Sequence, residues 1–522
     1  MAQGELFFHT FLFMSTFLFV HKLLKSGSRA PNLPPGPDTQ PIVGNSDIVR
    51  GDAVHLKYTW WARIYGHIFS LKQGDDTTIV LNNIDSANEL FKREGVFTEA
   101  TPEEWKIHRE TAESLLSAGN IMDHAAVQQA EAFQLLQEMI DSPQDFMNHT
   151  TRASTSTLAS ILFGRRLPRF ESTESDEFHE ISRLNAQLAS SPPSHEKETD
   201  LAKRRNEFYN HMVESGARKA SSKKGWNGSF AEEVLRRKDS GITRQQVPSF
   251  LGSLLESGAP AAAVYLQNLI LALASNPDVQ RKAQNEIERV VGYERAPRSD
   301  DLASMPFIKA VVKENFRFRP AVPLSATLQT AVDGEFYRGY SLPKGSSIIP
   351  NVYGMLHDPA YFDDAESFKP ERFLKSEFGT KPGVDDGAFR QVATGGNVMF
   401  ATGDLAWSDL SYDLATLNTM NLIWAFNFTL PKNEEGQVEF LDMHTYDYSK
   451  SATAPSPKLT STQLQSLKIA PRNRKVRQVV EREFVDATRL FERFEQGIPL
   501  EDRKFIEGQR SRMNPMFDEI DA

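Results

Sequence analysis

The sequence predicts a mainly α fold with small β-sheets, and three observations carry that expectation. From about residue 100 onward, apolar residues recur mostly at helical spacing, and the longest such run, 246–275, is apolar almost throughout. Runs of β type are short: His67–Gln73 and Thr77–Leu81 flank Gly74-Asp75-Asp76 and read as one hairpin. With 40% hydrophobic and 25% charged residues, a chain of 522 residues can bury a sizeable core. Its net charge of −10 gives no reason to expect nucleic acid as a partner. The chain contains no cysteine, which excludes disulfides, thiolate zinc sites, iron–sulfur clusters and thiol nucleophiles together.

Taken in order, the chain opens on Leu6–Val20, an almost uniformly apolar stretch rich in Phe and Leu. Extended to Leu24 it is long enough for a short transmembrane helix, since about 20 residues cross a bilayer. Glu5 precedes it, while Lys22, Lys25 and Arg29 follow, a charge order that favours a signal anchor with the body in the cytoplasm over a cleaved signal peptide. Pro31-Asn-Leu-Pro-Pro-Gly-Pro37 is a stiff connector, because each proline fixes its own φ and restricts the residue before it. Residues 153–164 and 175–190 read as helices, and 190–228, with Ser191-Pro-Pro-Ser194 and Lys223-Lys224-Gly225, as polar and irregular. Short β segments are expected from Pro431 to about Pro471. In the charged tail beyond, Val476, Val479, Val480, Phe484, Leu490, Phe491 and Phe494 fall on one helical face, expected to pack on the body. The expected organisation is an anchor at 1–24, a proline-rich hinge at 25–40, a main domain at 41–475 and a tail at 476–522.

Several motifs agree with one another. Lys313-Glu314-Asn-Phe-Arg317 carries E-x-x-R on one helix face, and Pro370-Glu-Arg372-Phe373 supplies a second arginine for the same carboxylate. Trp105-Lys-Ile-His-Arg109 is W-x-x-x-R, and Asn276–Glu288 with His357-Asp-Pro359 complete the set. Together they resemble the cytochromes P450 of the fungal microsomal type, from about 30 to 475 and most densely from 250 to 373. The resemblance implies the cytochrome P450 fold, with the E-x-x-R triad structural and Trp105 and Arg109 facing a haem propionate.

The departures from that family are selective. Its haem-binding loop, F-x-x-G-x-R-x-C-x-G, corresponds to Val398–Asp413, where Leu405 or Trp407 stands in place of the ligand, depending on the register. The acid and threonines that deliver protons to iron-bound oxygen are replaced by Pro260, Ala261 and Ala262, and the propionate histidine by Leu328. Haem is accordingly not expected, nor a reductase partner.

Three functions follow as expectations. The first is an enzyme of secondary metabolism performing a non-redox cyclisation, isomerisation or elimination on a lipophilic metabolite such as a terpenoid, possibly reached from the endoplasmic reticulum membrane. In that reading Asp404, Asp409 and Trp407 are catalytic, through paired acid–base work with Asp413 or a π face toward a carbocation. Trp105, Arg109, Leu405, Pro260 and Ala261 bind the substrate; Arg109 suits an anionic head such as a prenyl diphosphate, with Mg²⁺ in that case. The second is a pseudoenzyme, scaffold or carrier of a lipophilic ligand. The third is a monooxygenase with unusual haem ligation, for which His357 lies far from the loop in sequence.

Overall fold

The computed structural model describes residues 9, 12–17 and 27–520, except 50, 52, 92–96, 99–101, 116–123, 190–194, 218–227, 238–240, 325–327, 331–334, 388, 390–408, 433–440, 442, 444, 450, 452–453 and 496. Most of the N-terminal apolar run therefore lies outside the described residues. The chain divides into two compact units.

The first is drawn from Met1–Pro102, Leu324–Asp358 and Asp385–Ala401. Helix α1 (Val54–Tyr65) lies on a sheet of β1 (Ile68–Gln73), β2 (Asp76–Leu81), β3 (Phe97–Thr98), β4 (Leu328–Thr330) and β7 (Ser347–Pro350), in the order β1-β2-β7-β4-β3. The expected hairpin is present: Gln73 pairs with Asp76, and Gly74 between them has φ 61°, which glycine adopts without Cβ strain. A small separate hairpin joins β5 (Glu335–Tyr337) to β6 (Tyr340–Leu342). Tyr58, Trp61, Phe69, Leu71 and Val80 form the core of this unit. The proline-rich connector is tied to β1 through its carbonyls. Ser70 donates to Pro35 O (2.7 Å) and Pro34 O (2.5 Å), and Arg29 donates to Gly36 O, Pro37 O and the Ser70 hydroxyl.

The second unit, Glu103–Pro323, Pro359–Val384 and Thr402–Ala522, is mostly helical. Its helices include α2 (Pro102–Leu115), α3 (Ala125–Asp141), α4 (Phe146–Phe163), α5 (Thr173–Ala189), α6 (His195–Ala217), α7 (Val247–Ser275), α8 (Pro306–Phe318), α9 (Asp409–Ala425), α10 (Arg474–Phe491) and α11 (Leu500–Ile520). α7 is long and apolar enough to cross a membrane, but it is buried as the central core helix. Its C-terminal half packs with α9, and its N-terminal half with α4 and α6. One expectation changes. α6 is a regular helix where the sequence read as irregular; Leu201, Phe208, Tyr209, Met212 and Val213 give it a buried stripe at helical spacing. α7 runs through Pro260 as one unbroken helix.

The E-x-x-R triad closes as expected. Arg317 donates to both oxygens of fully buried Glu314 (2.8 and 2.9 Å), and Arg372 reaches the same carboxylate at 3.2 Å. The tail is pinned as well as packed. Val476, Val480, Phe484 and Phe491 enter the main core, while three arginines following α4 hold the chain from the end of α10 into the first turn of α11. Arg166 donates to Glu495 (2.6 Å), Arg165 to Gly497 O (2.9 Å) and Arg169 to Asp502 (2.6 Å).

Candidate functional site

The middle of α7 brings together the residues whose replacement the sequence made conspicuous. Ala261 and Val264 pack with Ala454, Ala321 and Val322. Next to them, Pro260, Ala263, Val264 and Gln267 follow i, i+3, i+4, i+7 spacing and border a cavity of about 480 Å³. Met147, Thr151 and Thr155 line it from α4 at the same periodicity; Phe178 and His179 line it from α5, and Ser451 and Ala454 from the chain beyond α9. The lining is mainly apolar, and its volume suits a small organic ligand.

No proton relay is found in this stretch of α7. The only acid of the helix, Glu256, is one turn before Pro260 and already takes Arg205 (2.8 and 2.5 Å) and the Tyr209 hydroxyl (2.8 Å). Burial, followed by the neighbouring Glu256 carboxylate, raises the Tyr209 phenol well above its ordinary value, so it stays protonated as the donor. At Pro260, Ala261 and Ala262 no side chain carries an exchangeable proton.

The remaining sequence candidates are placed only in part. Trp105 and Arg109 fall on α2, and between them His108 packs against Phe250 of α7 with ring centroids 5.3 Å apart. The side chains of Trp105 and Arg109 lie outside the described residues, as do Asp404, Leu405 and Trp407. Asp409 is the first residue of α9, and its side chain is likewise not described. His357 stacks on Tyr353 (3.9 Å), with its Nδ1 2.9 Å from Tyr353 O. His444 is closer to the 398–413 loop in sequence and is not described. The signal that sequence reading passed over is Gln267, a polar residue in the apolar run of α7 that is 1% exposed in the structure.

The family model described as "Cytochrome P450" matches residues 34–113 and 90–385. A cytochrome P450 monooxygenase of Armillaria gallica is 33% identical over 513 residues, covering 91% of this chain and 96% of that protein. The chain belongs to the cytochrome P450 family. The cytochrome P450 monooxygenase ple5B of Rhodocybe pseudopiperita is 32% identical over 483 residues, covering 84% of this chain and 91% of that protein. The monooxygenase patI of Aspergillus clavatus is 28% identical over 527 residues, covering 91% and 95%.

Membership corrects one expectation. The sequence reading set haem aside, whereas the family and its monooxygenase relatives point to a haem cofactor. The correction has a physical origin, since the surviving framework of the fold, not the loop, carries the likeness. The donor set of this chain nevertheless does not fit the family's ligation. With no cysteine, it cannot offer the axial thiolate, and no cluster of three or more His, Asp or Glu suited to a metal ion is present among the described residues. No step below passes through haem.

Proposed function

We propose that this cytochrome P450-family chain acts on a lipophilic small molecule of secondary metabolism, held beside Pro260, by a non-redox step: cyclisation, isomerisation or elimination. The observation that carries the reading is the conversion of the relay into Pro260-Ala261-Ala262 within an intact core helix, beside a mainly apolar cavity. Such a cavity accelerates a reaction by fixing one conformer and by excluding water from fixed dipoles. Asp404, Asp409 and Trp407 are the proposed acid–base and cation-stabilising groups, with Leu405, Pro260 and Ala261 shaping the pocket. Trp105 and Arg109 are the proposed seat of an anionic head such as a prenyl diphosphate. The substrate class is a terpenoid, and no reductase enters this step. The N-terminal apolar run is the proposed anchor to the endoplasmic reticulum membrane, with the main domain and tail in the cytoplasm.

The test is turnover of terpenoid substrates, farnesyl diphosphate included, with and without oxygen and an NADPH-fed reductase. Isomeric or elimination products formed equally under argon are expected. Product that requires oxygen, or a thiolate-type CO band in the reduced protein, overturns the reading. Tight binding without turnover identifies a carrier instead.

A further inference from the structure

The first unit carries apolar side chains on its surface that its own core does not use. Ile42 and Val43 are exposed at a tight turn closed by Gln40 and Gly44, and Ile48 is exposed just after it. Ile42 also has φ 71°, the left-handed conformation that glycine adopts freely and a β-branched residue only under strain. At 46% exposure, its packing inside the unit gives little in return for that strain. On α1, the exposed Trp60 and Ile64 stand three and seven positions after Lys57, on one helix face. Lys57 donates to Ile48 O (3.1 Å), which joins that face to the turn.

The same turn lies where the chain enters the unit. Gly27 donates to Gly74 O (3.0 Å), and a Cβ added to Gly27 would lie 2.9 Å from the Ile42 carbonyl carbon, so the two backbones touch. Three residue steps separate Gly27 from Leu24, the end of the N-terminal apolar run, a reach of at most about 11 Å. A bilayer that holds the run therefore has its surface close to the Ile42 turn. We infer that Ile42, Val43, Ile48, Trp60 and Ile64 form a face that rests on the lipid bilayer and fixes which side of this unit the membrane meets. This rests on the reading of Leu6–Leu24 as a membrane anchor. Tryptophan suits such a face, because its ring is apolar and its N–H finds partners among headgroups. Asp75 and Asp76, exposed at the hairpin beside Ile42, oppose anionic headgroups, so apolar contact and not charge drives the docking. Five partly exposed side chains rival at best one acyl chain, whose hold is marginal and reversible. The face orients the unit, while the anchor retains it.

The chain has no cysteine, so one introduced at Ile64 or Val43 carries a single fluorophore. Full-length Ile64→Cys and Val43→Cys proteins, labelled with an environment-sensitive dye, are reconstituted in phosphatidylcholine vesicles. Blue-shifted emission is expected, quenched by lipids brominated near the headgroup and not by aqueous iodide. Trp60 gives a second reading that needs no label, since Trp61 and Trp424 are buried. Tryptophan emission of the wild-type protein is expected to be quenched by the brominated lipid, and that quenched part is expected to be lost in Trp60→Phe. Dye quenched by iodide and untouched by brominated lipid, in protein that floats with the vesicles, overturns the inference and leaves the anchor reading standing. Dye shielded from both quenchers, with cross-links between copies, assigns the face to a second copy and also overturns it. Protein that does not float with the vesicles overturns the anchor reading, and the docking face with it.

Discussion

Arg166 meets Glu131 at 2.8 Å in the interior of the helical unit, each side chain 1% exposed. The same carboxylate takes Arg152 at 2.5 Å and the Ser156 hydroxyl at 2.7 Å, while Arg166 extends to Glu495. Charges at this depth hold only as a complete set, because the attraction within the set offsets the loss of hydration. Glu131→Gln removes the buried carboxylate that the two arginines share, leaving Arg152 with Glu138 alone and Arg166 with Glu495 alone. A loss of about 3–5 kcal/mol in unfolding free energy is expected, measured by urea titration. A loss under about 1 kcal/mol would mean that water reaches the cluster.

Acid should reveal the same network. Burial pushes the Glu131 carboxyl up, but Arg166 and Arg152 outweigh it and hold it below its ordinary 4.5. Burial also pushes up Glu174, outweighed by bonds from His211 and Arg165. A carboxyl whose folded pKa is depressed contributes stability that is present above its unfolded value and lost as pH falls through the folded one. Asp502 opposes this, since burial raises it in spite of Arg169. Melting temperature is expected to fall steeply below pH 4.5 in the wild-type chain, and less steeply in Glu131→Gln. Parallel curves would remove Glu131 from the acid transition.

Pro260 is the simplest place to measure what the rewritten helix costs. A proline inside a helix withholds one backbone hydrogen bond and crowds the preceding turn, at about 3 kcal/mol. Pro260→Ala is expected to raise unfolding free energy by up to about 3 kcal/mol. A destabilised Pro260→Ala protein would show that its ring is packed too well to replace.

The connector sets where a truncation should stop. Removing residues 1–26 is expected to release the protein from membranes with its melting temperature unchanged, as Arg29 and the carbonyls of Pro34 and Pro35 remain on Ser70. Removing residues 1–37 takes those contacts away and is expected to lower the melting temperature. A 1–26 deletion that still pellets with membranes would place attachment elsewhere.

The fold was legible wherever a local rule dictated it. Gly74 announced the hairpin, and the three-residue spacing of Glu314 and Arg317 announced the triad. α6 was hidden by its flanks: Pro192, Pro193 and Gly225 drew the eye from the stripe running from Leu201 to Val213. The Arg166–Glu495 pair, 329 residues apart, has no local signature, since a buried arginine and an exposed one read alike in a sequence. Of the site, sequence showed what had been lost at 260–262 but not Gln267. A glutamine in an apolar run acquires meaning only when its amide partners on α4 are known.

The three arginines after α4 also bear on synthesis. Arg165, Arg166 and Arg169 leave the ribosome more than 300 residues before Gly497, Glu495 and Asp502, which complete their bonding. Until then the nascent helical unit carries arginines whose native set is incomplete, so it cannot settle into its final interior while translation continues. Native closure of this arginine set is therefore a late event, completed only once residues 495–502 are in place.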